Sequence, residues 1–148
     1  MVIKKYTYID HLSDVGIEFY GNTLEELFEN AAAGMFSIMY DLKTVKPLLK
    51  KEVRISGKDI NYEDLLILWL ERLLYLHEVN TILFSDFKVK KIEKKENAFI
   101  LEAEIYGEKI DLSRHEIEVA IKAPTYHDLE IKENGEGYRW RGRVIFDV

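Results

Sequence analysis

Two carboxylates stand out for chemistry. Asp14 closes the polar cluster His11-Leu12-Ser13-Asp14, which lies between two runs that alternate like strands. Asp147 is the penultimate residue of a β-like run, Val144 to Val148, although aspartate is depleted in strands and favours turns. One reading is a frayed, solvated strand end. The other is a hard-cation site. Two carboxylates joined by a backbone carbonyl or by the terminal carboxylate of Val148 would make an oxygen cage of the type Ca²⁺ or Mg²⁺ takes.

Other groups are less specific. The histidines at 11, 77, 115 and 127 lack metal-ligand spacing. His77 reads as a residue near a helix C-terminus, favoured by the dipole, and His115 and His127 flank a strand and are expected to share a surface. Arg139, Arg141 and Arg143 form one row, suited to phosphates or simply to solvent. Lys122 shares the face of Glu118 and Ala120, opposite Ile121, where alternation points it outward without a structural task. There is no GxxxxGK phosphate loop, no GxSxG elbow and no HExxH zinc helix. With no cysteine, a nucleophile would have to be Ser, Thr or Lys, and none stands in an activating context.

The elements that must position these groups are legible from pattern. Residues 2–9 read as a strand, and Val15, Ile17 and Phe19 form one face of the next. After Gly21, Thr23-Leu-Glu-Glu26 is a capping box, with the Glu26 side chain reaching back to Thr23. Leu24, Leu27, Phe28, Ala31, Met35, Phe36 and Met39 then recur at helical spacing. Residues 42–50 read as a loop around Pro47, and Glu52–Ser56 as a short strand. Asn61 caps a second helix that is apolar on every side from Leu65 to Leu70, and so is expected to be the core helix.

The rest is strand-rich. One strand begins near Phe87 and turns at 94–97 into Ala98–Tyr106. A loop over Asp111–His115 leads into an alternating run at Ile117, Val119 and Ile121. Pro124 interrupts, and His127, Leu129 and Ile131 resume. Residues 133–137 signal a hairpin into a last strand over Tyr138–Val148. Strands dominate, two helices pack on them, and no βαβ repeat occurs: the class is α+β.

Composition sets bounds. The 148 residues suggest a single domain, and 47% hydrophobic with 12% aromatic content argues for a folded chain. No apolar run approaches a membrane span and the N-terminus has no signal-peptide core. With the lack of cysteine, this fits a cytoplasmic protein. A net charge of −6 disfavours non-specific grip on a phosphate backbone, so little direct nucleic-acid binding is expected.

The order of several short motifs resembles the archease family. Tyr-x-Asp-His-x-x-Asp stands at Tyr8 to Asp14, and Gly-x-Thr-Leu-Glu-Glu-x-Phe runs from Gly21 to Phe28. An Ala-rich helix follows, with Met35-Phe36. Leu112-Ser113-Arg114-His115 matches the family's Leu-Ser-Lys-His. Ile121-Lys122-Ala123-Pro124-Thr125-Tyr126 matches Val-Lys-Ala-x-Thr-Tyr, and Asp147-Val148 matches the family's last two residues. The family's His-Thr-Ala-Asp is His11-Leu12-Ser13-Asp14 here, which loses the threonine hydroxyl and keeps the aspartate.

The resemblance implies an α+β fold with an inserted strand–helix–strand–strand unit. It implies a protein that is not itself an enzyme but an activator of the GTP-dependent tRNA-splicing RNA ligase. Such an activator promotes guanylylation of the ligase and multiple turnover, and broadens its nucleotide use. It implies a divalent-metal site, most simply for Ca²⁺, with ligands at Asp14, Asp147 and Val148, and a partner-activating candidate at Lys122. Two rivals stand beside it. One is a chaperone-like modulator of an RNA methyltransferase; the other is a free-standing metal-dependent hydrolase.

Overall fold

Two helices carry most of the interior. Helix α1 (Leu24–Met39) starts at Thr23, whose hydroxyl accepts the Glu26 N–H. The Glu26 carboxylate reaches back one residue further than expected, to the amide of Asn22. Its apolar stripe is fully enclosed, with Leu27, Phe28, Ala31, Met35 and Phe36 all at 0% exposure. Each large side chain buried this way stabilises the fold by about 1.5–3 kcal/mol. In the computed structural model, which describes residues 4–9, 15–133 and 137–148, both helices touch strands of two antiparallel sheets.

The first sheet has the order β1-β2-β7-β6, formed by β1 (Tyr6–Tyr8), β2 (Val15–Gly21), β7 (Trp140–Asp147) and β6 (Ala123–Glu133). Ile17, Phe19, Val144 and Phe146 supply its buried face. The second has the order β3-β5-β4, formed by β3 (Leu49–Lys58), β5 (Ala98–Lys109) and β4 (Ile82–Lys95). The chain builds all of this second sheet, with helix α2 (Tyr62–Asn80) between β3 and β4, before it returns to the first sheet at β6. The architecture is α+β.

The α2 helix departs from its expected role. Asn61 caps it through a reciprocal box with Asp64, and Leu65, Leu66, Trp69, Leu70 and Leu73 are enclosed. Leu68 and Tyr75 are nonetheless exposed at 37% and 59%. The helix is covered on one side and open on the other, so the more enclosed of the two is α1. The indole N–H of Trp69 donates to the Phe28 carbonyl at 3.0 Å and ties the helices together.

Three strand boundaries move for identifiable reasons. The β4 strand begins at Ile82, before Phe87, because the polar pair Ser85-Asp86 is absorbed by a bulge between Phe84 and Asp86. The Tyr40 hydroxyl serves the backbone there, donating to the Phe84 carbonyl and accepting its N–H, both at 2.7 Å. The β3 strand begins at Leu49, inside the expected loop, because Leu49 pairs with Gly107. Residues 117–121 are not a strand. They run beside the core with Ile121 buried, held where the Glu118 N–H donates to the Met39 carbonyl at 2.8 Å.

Pro124 lies within β6, opposite Phe146, rather than breaking it. The β6 strand is at the sheet edge, where a missing N–H costs no ladder bond. Tyr138 and Arg139 precede β7, which starts at Trp140. The expected turn at 133–137 falls partly outside the described residues, as do residues 2 and 3 of the first expected strand, of which β1 takes up Tyr6–Tyr8.

Candidate functional site

The first sheet brings distant parts of the sequence to one end. The β7 strand runs antiparallel between β2 and β6, with Val15 opposite Phe146 and Ala123 opposite Asp147. The Lys122 N–H donates to the Asp147 carbonyl at 2.8 Å, one step beyond the last register pair. Lys122 and Asp147 therefore share this end, although 25 residues separate them in sequence. Both are exposed, and Val148 is 48% exposed beside them. Asp14 and His11 lie outside the described residues, and Val15, next to Asp14 in sequence, pairs with the residue before Asp147.

This end presents the exposed residues Lys122 and Asp147 to solvent. The donors predicted for a metal are all oxygens, which suits Ca²⁺ or Mg²⁺ and not a thiophilic ion. Among the described residues no three His, Asp or Glu side chains gather in a metal-sized cluster. A groove of about 680 Å³ opens elsewhere, beside α1 and β4, and is lined by Lys5, Glu29, Asp86 and Lys88 among others. It does not involve this sheet end.

The other sequence candidates are accounted for structurally. His77 is half-buried, with Nδ1 at 2.7 Å from the Ile82 carbonyl and its ring against Phe36 and Tyr40. Arg141 and Arg143 both reach Glu130 on β6, at 3.2 and 3.7 Å, and Arg139 reaches Glu133 at 3.4 Å. That row is partly neutralised by its neighbouring strand. His115 and His127 do not share a surface: His115 is 4% exposed, whereas His127 is open to solvent beside Asp128.

His115 belongs to a buried cluster that the sequence reading passes over. Its centre is Glu108, the next-to-last residue of β5, only 6% exposed. Glu108 accepts the Lys46 N–H at 2.7 Å, an Arg114 guanidinium N–H, and Nε2 of His115 at 3.2 Å. Nδ1 of His115 accepts the Asp111 N–H at 2.9 Å, which puts the ring proton on Nε2, facing Glu108. Arg114 and His115 of the Leu-Ser-Arg-His motif thus staple the 111–115 loop to the end of β5 and, through Glu108, to the segment that leads into β3. A signal existed in the sequence: an acidic residue at the end of an alternating strand, six residues before an arginine.

The Lys46 amide, followed by Arg114 and His115, holds the Glu108 carboxyl well below the usual carboxylate range, down to about 2, against the opposing effect of burial. A carboxylate with a depressed folded pKa contributes fully above its unfolded value and loses that contribution as pH falls through the folded one. The parent should therefore lose stability relative to a Glu108→Gln variant between about pH 4.5 and pH 2. Urea midpoints measured for both proteins across that window check this. A gap that stays constant would show that Glu108 is not held ionised by these donors.

Comparisons with known proteins follow the same outline. The Archease protein family (MTH1598/TM1083) matches residues 6–148. A relative called protein archease from Pyrococcus furiosus is 38% identical over 146 residues, covering 99% of this chain and 100% of its own. One from Methanosarcina barkeri is 39% identical over 145 residues, covering 98% and 97%. The solution structure of Methanobacterium thermoautotrophicum protein 1598 is similar at TM-score 0.83 and 38% identity, covering 99% of this chain and 100% of that one. A crystal structure from Thermotoga maritima, described as an archease and possible chaperone, shares the fold at TM-score 0.55 and 21% identity, covering 95% and 94%.

Proposed function

The chain belongs to the archease family, and on that premise we propose that it is an accessory protein of the GTP-dependent tRNA-splicing RNA ligase. In this reading it docks on the ligase and promotes guanylylation, so that limiting ligase completes many turnovers and accepts a broader range of nucleotides. The chain is not the catalyst. The observation that carries the proposal is the meeting of Lys122 and Asp147 at one exposed sheet end, joined by the 2.8 Å backbone hydrogen bond.

At that end the Lys122 ammonium would face the docked ligase. Its charge would offset negative charge on the GTP phosphates as the phosphoryl bond breaks, as a cation supplied in trans does in other phosphoryl transfers. A chain with net charge −6 that works through a protein partner needs no grip on RNA. Among the described residues no helix is long and apolar enough to cross a membrane.

The oxygen donors Asp14, Asp147 and Val148 fit a divalent cation, most simply Ca²⁺. When bound, it would supply fixed positive charge and join the start of β2 to the end of β7. Calorimetric titration should show Ca²⁺ binding that Asp14→Ala or Asp147→Ala abolishes. Unchanged binding by both variants, or a preference for zinc, would remove the assignment.

The functional test is ligase turnover at limiting ligase, with and without this chain. Stimulation to multiple turnover is the expected result. No effect on the ligase, together with an effect on an RNA methyltransferase, would favour the modulator reading instead.

A further inference from the structure

We propose that β3 accepts an acidic, extended segment of a partner protein as an added strand, seated in the groove between β3 and α2. The proposal does not depend on the ligase reading, since β3 belongs to the other sheet.

The sheet edges differ in how they are protected. An open edge strand is a template for pairing, and proteins normally blunt it. On β4, the outer edge is capped by α1: the Val89 N–H donates to Glu29 at 2.8 Å and the Ile92 N–H to Glu25 at 3.3 Å. That strand also carries two bulges. In the first sheet, β1 has three residues, and β6 carries Pro124 and a long irregularity between Thr125 and Glu130. The β3 strand has no bulge, no proline and full length; of its outward backbone groups α2 touches the Arg54 carbonyl, through the Arg72 guanidinium at 3.4 Å. It pairs with β5 in unbroken register over all ten residues, Leu49 to Lys58. Among the described residues no strand lies on its other side.

The direction of its free groups can be read from one contact. The Arg54 carbonyl accepts from the Arg72 guanidinium at 3.4 Å, so it points toward α2 and away from β5. In a strand the N–H of a residue points the same way as its carbonyl, and alternate residues repeat the direction. Glu52, Arg54 and Ser56 therefore offer their backbone groups outward.

Those groups face a groove of about 360 Å³ lined by Arg54, Ile55 and Ser56 of β3 and by Leu68, Glu71, Arg72 and Tyr75 of α2, two cations against one carboxylate. Leu68 and Tyr75 are the exposed positions that depart from the covered side of α2. A strand edge beside a helix with exposed apolar residues is the arrangement by which extended peptides are bound. Main-chain bonds give affinity, and alternate side chains reach the helix.

Charge selects the occupant. Lys50, Lys51, Arg54 and Lys58 stand on β3 against Glu52 alone, in a chain whose net charge is −6. Lys50 and Arg54 lean on Glu104 and Glu102, but each of those carboxylates is shared with a second lysine, Lys90 or Lys91. A second copy of this chain would set these cations against themselves, since like charges across a strand pair destabilise it. An acidic strand from another protein meets no such barrier.

The probe is an acetylated, amidated heptapeptide alternating valine and glutamate, titrated into the full ¹⁵N-labelled chain, with a valine–lysine peptide as control. The acidic peptide should shift amides along β3 and on α2 from Leu68 to Tyr75, and should slow hydrogen exchange at Arg54 and Ser56. Ser56→Pro removes an outward amide without touching the β5 ladder, and should weaken binding at least about tenfold while the melting temperature holds. If that variant fails to fold, Tyr75→Asp, at an exposed position, should produce a similar loss. The proposal is overturned if millimolar acidic peptide leaves β3 unchanged, if the lysine peptide binds equally well, or if the folded variants bind as the parent does.

Discussion

Replacing Lys122 by alanine is expected to slow ligase guanylylation about a hundredfold at saturating protein, the range seen when a single positioned charge is removed from a transition state. Folding should be nearly untouched. Lys122 is exposed, and such a residue contributes within about 0.5 kcal/mol to stability. Its backbone N–H, which holds the Asp147 carbonyl, is present in the variant as well. Lys122→Arg should recover part of the rate if charge is the main requirement. A docking role forecasts something different, because excess Lys122→Ala protein would then restore full activation. Single-turnover guanylylation with the ligase saturated by each variant separates the two.

Gly107→Ala should be the most damaging single methyl in the chain, with a loss of more than about 4 kcal/mol or failure to fold. Gly107 sits in the centre of the second sheet, paired with Leu49 on one side and Phe84 on the other. A Cβ there would stand 1.8 Å from the Leu83 carbonyl oxygen and 2.8 Å from the Phe84 Cα. Both obstacles are backbone, so no side-chain rotation relieves them, and the bulge that creates them is pinned by Tyr40. Gly137→Ala is the matching control. Its φ of +74° is unfavourable for alanine, yet nothing lies within 4 Å, so the cost should be about 1 kcal/mol. Equal urea midpoints for the two variants would contradict this account of Gly107.

What the sequence disclosed follows from the range over which each signal acts. The caps at Thr23 and Asn61 and the stripe of α1 are local, and they place both helices closely. The period-two faces of β2 and β7 are equally plain. Bulges and edges were not legible, because they depend on the strand alongside. The strand reads as starting near Phe87 until Tyr40, just past the end of α1, satisfies the Phe84 backbone. Pro124 reads as a break until β6 proves to be an edge. The alternation at 117–121 is real, but no partner strand takes up its backbone groups.

The candidate site was legible only in pieces. Asp147 was conspicuous as an aspartate in a strand, and Lys122 as a lysine without a task. That both occupy one sheet end depends on β6 and β7 pairing with Ala123 opposite Asp147, a register that no local pattern encodes. His115 is buried away from His127 for the complementary reason. Its surroundings are set by Glu108 and by the Lys46 amide, 62 residues before that carboxylate.

The central claim is that Lys122 and Asp147 act as one site on the ligase, and a double-mutant cycle tests it most directly. Guanylylation rates at saturation would be measured with the parent, Lys122→Ala, Asp147→Ala and the double variant. Residues that work as a unit lose little more together than apart. The account predicts that the double variant falls within about threefold of the weaker single variant. Losses that simply multiply would show two independent contributions and contradict the claim of a shared site.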